Sequence, residues 1–189
     1  MNPGTPDAEK AREMTLEAFA DTIIPGEKRF PGDRTVAGAT TGGGAVAAGA
    51  LDMLRTPAVG FVDLLDFLAD ELAKHAERYA GELGLVLDES VPPFVALSFA
   101  DRTALVRALT SPGHPEKEIW VGIALFCNMA FDTAAHLPTA DALAAGHPGL
   151  LVMGIAQPNP DGLWRFPSFS YGRALANLHA QTTSSGSPA

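Results

Sequence analysis

Residues 56–81, TPAVGFVDLLDFLADELAKHAERYAG, carry the plainest structural signal in the chain. Phe61, Leu64, Leu65, Leu68, Leu72, Ala76 and Tyr79 recur at steps of about three and four, while Asp63, Asp66, Asp70, Lys74, Glu77 and Arg78 fill the other side. That is the period of an amphipathic helix with a single apolar stripe. Thr56 is suited to cap it, Pro57 to open its first turn and Gly81 to end it. A stripe of this length has to be buried against other helices, so the expected fold class is all-α.

Upstream, Leu16, Phe19, Ala20, Ile23 and Ile24 predict a helix over 14–24 that Pro25-Gly26 stops. Residues 25–42 mix glycine and proline with charged residues and read as a loop. The stretch 38–50, GATTGGGAVAAGA, is glycine-rich but lacks the Gly-Lys-Ser/Thr ending of a phosphate loop, and no strand signal precedes it. It predicts a turn and then a short helix, 45–54, whose small residues let another helix or a partner chain come close. Downstream, Pro92-Pro93 breaks the pattern, and Ser98 with Asp101 resembles a capping box that opens a helix through Leu109. Pro115, Glu116 and Glu118 suit the start of another helix, running to about residue 135. A short helix over 139–145 is closed by Gly146, residues 146–170 read as a long ordered loop, and 171–181 can form a last helix. The expected architecture is one irregular bundle of about five to seven helices with long Gly- and Pro-rich loops. It comprises a flexible segment 1–13, a helical domain 14–181 and a disordered tail 182–189.

With 189 residues, 47% of them hydrophobic, the chain can bury one sizeable core. Thirteen Lys and Arg against 22 Asp and Glu give a net charge of -9, with no basic cluster to meet a row of phosphates, so neither nucleic acid nor an anionic membrane surface is expected as a partner. The longest apolar run, 119–131, is shorter than the roughly 20 residues that cross a bilayer. It reads as a buried helix, and no membrane insertion is expected. Cys127 has no partner for a disulfide, and the few basic residues near the N-terminus, Lys10 and Arg12, are not followed by the apolar segment of an export signal. A cytoplasmic location is expected.

Glu71 and His75 are four apart, as are Asp132 and His136, so each pair could face one way on a helix. The spacing departs from the three-residue Glu-x-x-His step of helical di-metal sites, and the pairs read as solvated contacts or helix-end histidines, so no metal is expected. His114 and His147 each precede a proline, and His179 lies near the end of the last helix; all three read as structural. Cys127 reads as a small core residue, and no serine sits in a Gly-x-Ser-x-Gly elbow. Residues 164–171, WRFPSFSY, are the densest aromatic stretch. Flat rings and arginine favour interface centres, which makes Trp164, Arg165, Phe166, Phe169 and Tyr171 candidate interface residues, the alternative being a loop folded over its own core.

The string 15–26, TLEAFADTIIPG, resembles the opening of the gluconate 2-dehydrogenase subunit 3 family, small helical proteins that begin with an apolar helix ending in Ala-Asp-x-Ile-Ile-Pro. The glycines between Gly32 and Gly44 match the stretch that follows, residues 93–109 with Ala-Asp-Arg before an apolar helix are also similar, and 167–172 matches the aromatic C-terminal region more loosely. The resemblance implies a small non-catalytic subunit beside a flavin-dependent sugar or alcohol dehydrogenase, assisting its maturation or export. FAD is then expected in the partner and no cofactor in this chain. Some members carry a twin-arginine signal, which this sequence lacks.

Two functions follow as expectations. The first is an accessory subunit binding a flavin-dependent dehydrogenase. The alternative is a stand-alone, cofactor-independent cyclase or isomerase acting on an apolar metabolite, with Asp21, His75, Asp132, His136 and Tyr171 as candidate acids and bases. A purely structural homo-oligomer is a third possibility.

Overall fold

The computed structural model describes residues 6–160 and residue 181. Among them lie eight α-helices and no strand: α1 (Pro6–Ile23), α2 (Ala50–Arg55), α3 (Leu65–Leu83), α4 (Pro93–Ala96), α5 (Phe99–Leu109), α6 (Lys117–Asp132), α7 (Thr139–Ala144) and α8 (Pro148–Val152). The fold class is all-α. Two compact units divide the chain, Met1–Ile155 and Ala156–Ala189, so the first unit ends well before the boundary expected at residue 181. Only 156–160 and Gln181 of the second unit are described; the helix expected over 171–180 and the tail 182–189 lie outside the described residues. No helix among the described residues is long and apolar enough to cross a membrane.

Helical order begins at Pro6, which corrects the expectation of a flexible segment over 1–13: residues 6–13 form the first turns of α1. The apolar period starts only near Met14, and other forces hold the earlier turns. Asp7 and Glu9 complement the helix dipole. Ala8 is buried, and Arg12 reaches across to α3, 3.0 Å from Asp66 and 2.8 Å from Asp70.

The stretch that decided the fold class contains a helix, but α3 starts at Leu65 rather than Pro57. Residues Pro57–Val59 and Val62–Leu64 form two 3-10 turns instead. Gly60 between them has φ 80, a left-handed conformation that interrupts any continuous helix. At the other end α3 passes Gly81 and stops at Leu83, capped by Gly84. The helix expected over 45–54 is shorter, because Gly49 turns the chain just before α2. The expected cap at α5 is present: Ser98 Oγ accepts the Asp101 N–H at 3.2 Å. Two short helices were not anticipated, α4 opened by Pro93 and α8 opened by Pro148, each with proline in its first turn.

Helix α1 is the hub, touching α2, α3, α4, α5 and α6. Around it Leu16, Phe19, Leu54, Leu68, Leu72, Phe94, Leu109, Trp120, Ile123 and Cys127 form the main core, with the Phe19 and Trp120 rings 5.9 Å apart. Each such side chain contributes about 1.5–3 kcal/mol by leaving water. A separate small core, Ala134, Ala142, Leu143 and Leu150, joins α7 and α8 to the end of α6.

Candidate functional site

Asp21 lies on the last turn of α1, almost wholly buried, where Pro25-Gly26 forces the chain to turn back. Its Oδ1 accepts the Gly26 N–H at 3.1 Å and its Oδ2 the Ala37 N–H at 2.8 Å. The loop after α1 is thereby tied back to the helix at Gly26 and Ala37. Burial pushes the Asp21 carboxyl pKa up, and the two backbone donors oppose this. The chain crosses itself here: Ala45 N–H donates to the Ile24 carbonyl at 2.9 Å and Glu27 N–H to the Gly42 carbonyl at 2.8 Å. A methyl on Gly44 would strike the Ile24 carbonyl oxygen, and one on Gly26 would lie 2.5 Å from Gly44 N, so only glycine permits the crossing. Arg102 completes it from α5, donating to the carbonyls of Thr35 at 2.8 Å, Arg34 at 3.0 Å, Val95 at 2.6 Å and Leu97 at 3.2 Å. The space beside Asp21 and Gly44 is about 10 Å³, room for one water at most. Each Asp21 oxygen therefore accepts a backbone N–H of the fold, and no room is left beside it for a substrate.

Glu71 pairs with Lys74 at 2.5 Å, whereas His75 takes a different partner. Its Nε2 lies 2.8 Å from Glu116 Oε2, just before α6, and the same oxygen accepts Trp120 Nε1–H at 2.9 Å. The Trp120 hydrogen bond, with that of His75, holds the Glu116 pKa below the usual carboxylate range. His114 closes the group, its ring 5.9 Å from that of His75 and its Nδ1 accepting the Glu116 N–H at 3.2 Å. This arrangement pins the start of α6 to α3. Sequence reasoning missed Glu116 as the partner of His75 because the two are 41 positions apart.

Asp132 and His136 do not share a helix, since α6 ends at Asp132 and Ala134 turns the chain with φ 48. Asp132 Oδ2 accepts Asn128 Nδ2–H at 2.7 Å, whereas its Oδ1 is buried without a hydrogen-bond partner. His136 Nδ1 is likewise buried and unpartnered. The His136 ring packs over Gly49: a methyl there would sit 2.6 Å from His136 Nε2 and 3.6 Å from the Asp52 carboxylate. The His147 ring lies 6.4 Å from that of His136. His147 is fixed by donating from Nε2 to the Ala48 carbonyl at 3.1 Å and accepting the Leu150 N–H on Nδ1 at 3.3 Å, which caps α8. Burial pushes the His136 pKa down; Asp52 opposes this and His147 adds to it.

Among the described residues, no three His, Cys, Asp or Glu side chains are grouped so that they could hold a metal ion. Cys127 is fully buried and burial pushes its thiol pKa up to about 12, far from a reactive thiolate. One open groove of about 1220 Å³ runs between α1, α3 and the 87–93 segment, with Met14, Phe30, Arg34 and Leu87 on its walls. None of Asp21, His75, Asp132 and His136 lines it. Tyr171 and the candidate interface residues Trp164, Arg165, Phe166 and Phe169 lie outside the described residues, as does His179.

The structure also displays an apolar surface that the sequence reading had placed inside. Helix α6 buries Trp120, Ile123, Cys127 and Ala130, yet on its opposite side Val121 and Leu125 are 38% and 54% exposed. Beside them the Phe61 ring packs over Gly122 and meets Phe126 edge-on at 5.6 Å. Val62, Leu64 and Phe67, next to Phe61 in the chain, are exposed as well. The signal was present in the sequence: the run 119–131 is apolar apart from Asn128, whereas a helix covered on one face alternates with polar residues.

No curated protein and no solved structure matches this chain. The model of the family of unknown function DUF5987 matches residues 10–189, nearly the full length, and the chain belongs to that family.

Proposed function

We propose that this chain is a non-catalytic accessory subunit that binds and helps mature a flavin-dependent sugar or alcohol dehydrogenase in the cytoplasm, the FAD being held by the partner. The observation that carries the binding role is the outward side of α6, where Val121 and Leu125 stand exposed on either side of Gly122, which Phe61 covers. Contiguous apolar surface in contact with water is a cost that partner binding removes. The identity of the partner rests on the resemblance of residues 15–26 to the gluconate 2-dehydrogenase subunit 3 family. The arrangement of the acids and bases agrees with binding rather than chemistry. Asp21, His75 and His136 occupy three separate places in the fold; both Asp21 oxygens accept backbone N–H groups and His75 Nε2 meets Glu116.

The test is to purify the tagged chain from its own cells and look for flavin absorbance in the eluate. A flavoprotein retained by the wild type and lost with Val121→Asp/Leu125→Asp supports the proposal, since changes at such exposed positions leave folding nearly unaffected. Failure to retain any flavin-containing protein sinks it.

A further inference from the structure

No residue of α6 lines the open groove of about 1220 Å³ between α1, α3 and the 87–93 segment. Met14, Leu87 and Val91 are half-buried, packed against the main core on one side and lining the groove on the other. The arginines on its walls are already answered: Arg12 by Asp66 and Asp70, Arg29 by Glu17 and Asp33, and Arg34 by Asp88. An arginine whose fork is filled by a carboxylate has little attraction left for an anion. Other lining side chains are exposed and outside any ion pair among the described residues, and these are acidic on all three walls. They are Asp7 and Glu9 on α1, Glu77 on α3 and Glu89 in the 87–93 segment, against Lys10 alone.

We infer that this groove receives an extended segment of a partner protein in which apolar side chains alternate with lysine or arginine. Its volume exceeds the roughly 300–1,000 Å³ of clefts that enclose small molecules, and it is open along its length. From Asp7 to Glu17 the α1 wall runs ten residues, about 15 Å at the rise of a helix, which an extended chain of about five residues spans. Alternate side chains of such a chain point to opposite sides. The apolar ones meet Met14, Leu87 and Val91, and the cations reach Asp7, Glu9, Glu77 and Glu89. Apolar contact supplies affinity, and the opposed charges select the partner and speed its arrival. A second copy of this chain fits poorly, because it carries a net charge of -9. The inference stands apart from the reading of α6 and adds a second surface of different chemistry.

The experiment uses the full chain, isotope-labelled for amide shifts, and two short synthetic peptides in which leucine alternates with lysine or with glutamate. The lysine peptide should bind roughly tenfold or more tightly than the glutamate peptide at low salt, with a smaller margin at physiological salt. Its amide shifts should fall on residues 7–17, 69–77 and 87–91. Glu77→Gln/Glu89→Gln should cut the lysine preference about threefold or more, whereas the control Asp63→Asn/Glu118→Gln, which removes as much charge outside the groove, should keep it. Ala73→Phe, which fills the groove from α3, should weaken the lysine peptide while the circular dichroism of the folded chain is unchanged. The charge variants lie at exposed positions and decide the matter even where Ala73→Phe does not fold. Equal binding of the two peptides, binding of neither, shifts centred on other residues, or equal loss with the control variant overturns the inference. So does a dimer of the wild type that Ala73→Phe dissociates, since the occupant is then a second copy. Neither peptide involves α6 or a flavoprotein, so failure here leaves the accessory reading standing, and failure of that reading leaves this assignment standing.

Discussion

Two places in the first unit solve the same geometric problem, and they differ in how completely they solve it. At the end of α1 and at the end of α6 the backbone crosses another segment so closely that only glycine fits, Gly44 over Ile24 and Pro25 in one case and Gly149 against the Phe131 carbonyl in the other. Around the first crossing Asp21 uses both carboxylate oxygens and Arg102 donates to four carbonyls. Around the second, Asp132 Oδ1 and His136 Nδ1 are buried with no partner, and Ala134 takes a left-handed conformation at φ 48. An unpartnered buried polar atom costs about 1–3 kcal/mol, and a non-glycine residue in that conformation is also strained. The first crossing is therefore architecture that holds the main core together, and the second is the less completely satisfied of the two.

The hardest blow to this comparison comes from the glycines. Gly44→Ala places a methyl against backbone that belongs to α1 and its turn, and neither can move without disturbing the hub of the bundle. We expect a loss of about 3 kcal/mol or more from the whole unit, read as a lower urea midpoint. Gly149→Ala clashes at least as severely, but the loss is limited to what the small core of Ala134, Ala142, Leu143 and Leu150 contributes, a smaller share of the unit's stability than the main core holds. Hydrogen exchange should show α7 and α8 losing protection while α1 and α3 keep theirs. If Gly149→Ala lowers protection in α1 as much as in α8, the two crossings belong to one cooperative unit and the contrast fails.

The first crossing was partly legible in the sequence and the second was not, for a physical reason. Residues 15–26 announce an apolar helix with a hard stop, and the glycines that follow announce a tight loop, because both signals are local. What tied them, Asp21 to Ala37 and Arg102 to Thr35, spans 16 and 67 positions and leaves no local trace. At the second crossing the spacing of Asp132 and His136 suggested one helical face, but Thr133 and Ala134 end the helix between them without any glycine or proline to mark the stop. The pairing of His75 with Glu116 was hidden in the same way, while the stripe from Leu65 to Ala76 and the cap of α5 agree with the sequence, and Phe61 and Leu64 fall outside the helix. Periodicity is written locally, as is the Ser98 cap; the ends of α3 and the side chains that join distant segments are not. The aromatic residues between Trp164 and Tyr171 lie outside the described residues.

A gentler probe of the first crossing is Asp21→Asn. The amide keeps one acceptor and turns an N–H toward a backbone donor, leaving the Gly26 or Ala37 N–H unpaired in a buried place. We expect a loss of about 1–3 kcal/mol, measured by urea unfolding at neutral pH. A change within a few tenths of a kcal/mol would mean that the tie between α1 and the loop contributes little, and that Gly44 and Arg102 alone hold the crossing.

The smallest effect separates the two places by the sign of their response to acid. Burial raises the Asp21 pKa, so the folded state holds that proton more tightly than the unfolded one. Its contribution is full below the ordinary value of 3.8 and is lost as pH rises through the folded value. Burial lowers the His136 pKa, so the unfolded state holds the proton more tightly, and stability falls as pH drops below the ordinary value of 6.5 toward the folded value. One whole proton corresponds to about 1.4 kcal/mol per pH unit, and the partly buried His136 ring, with Asp52 nearby to favour the charged form, should give only a fraction of it. His136→Gln should therefore flatten the decline in stability just below pH 6.5, and Asp21→Asn should remove a slope of the opposite sign at lower pH. Unfolding midpoints of the two variants and the wild type, taken at half-unit steps of pH, decide the matter. If His136→Gln leaves the acid limb of the curve unchanged, its unpartnered nitrogen does not make the α6 junction acid-sensitive, and the two crossings differ in packing alone.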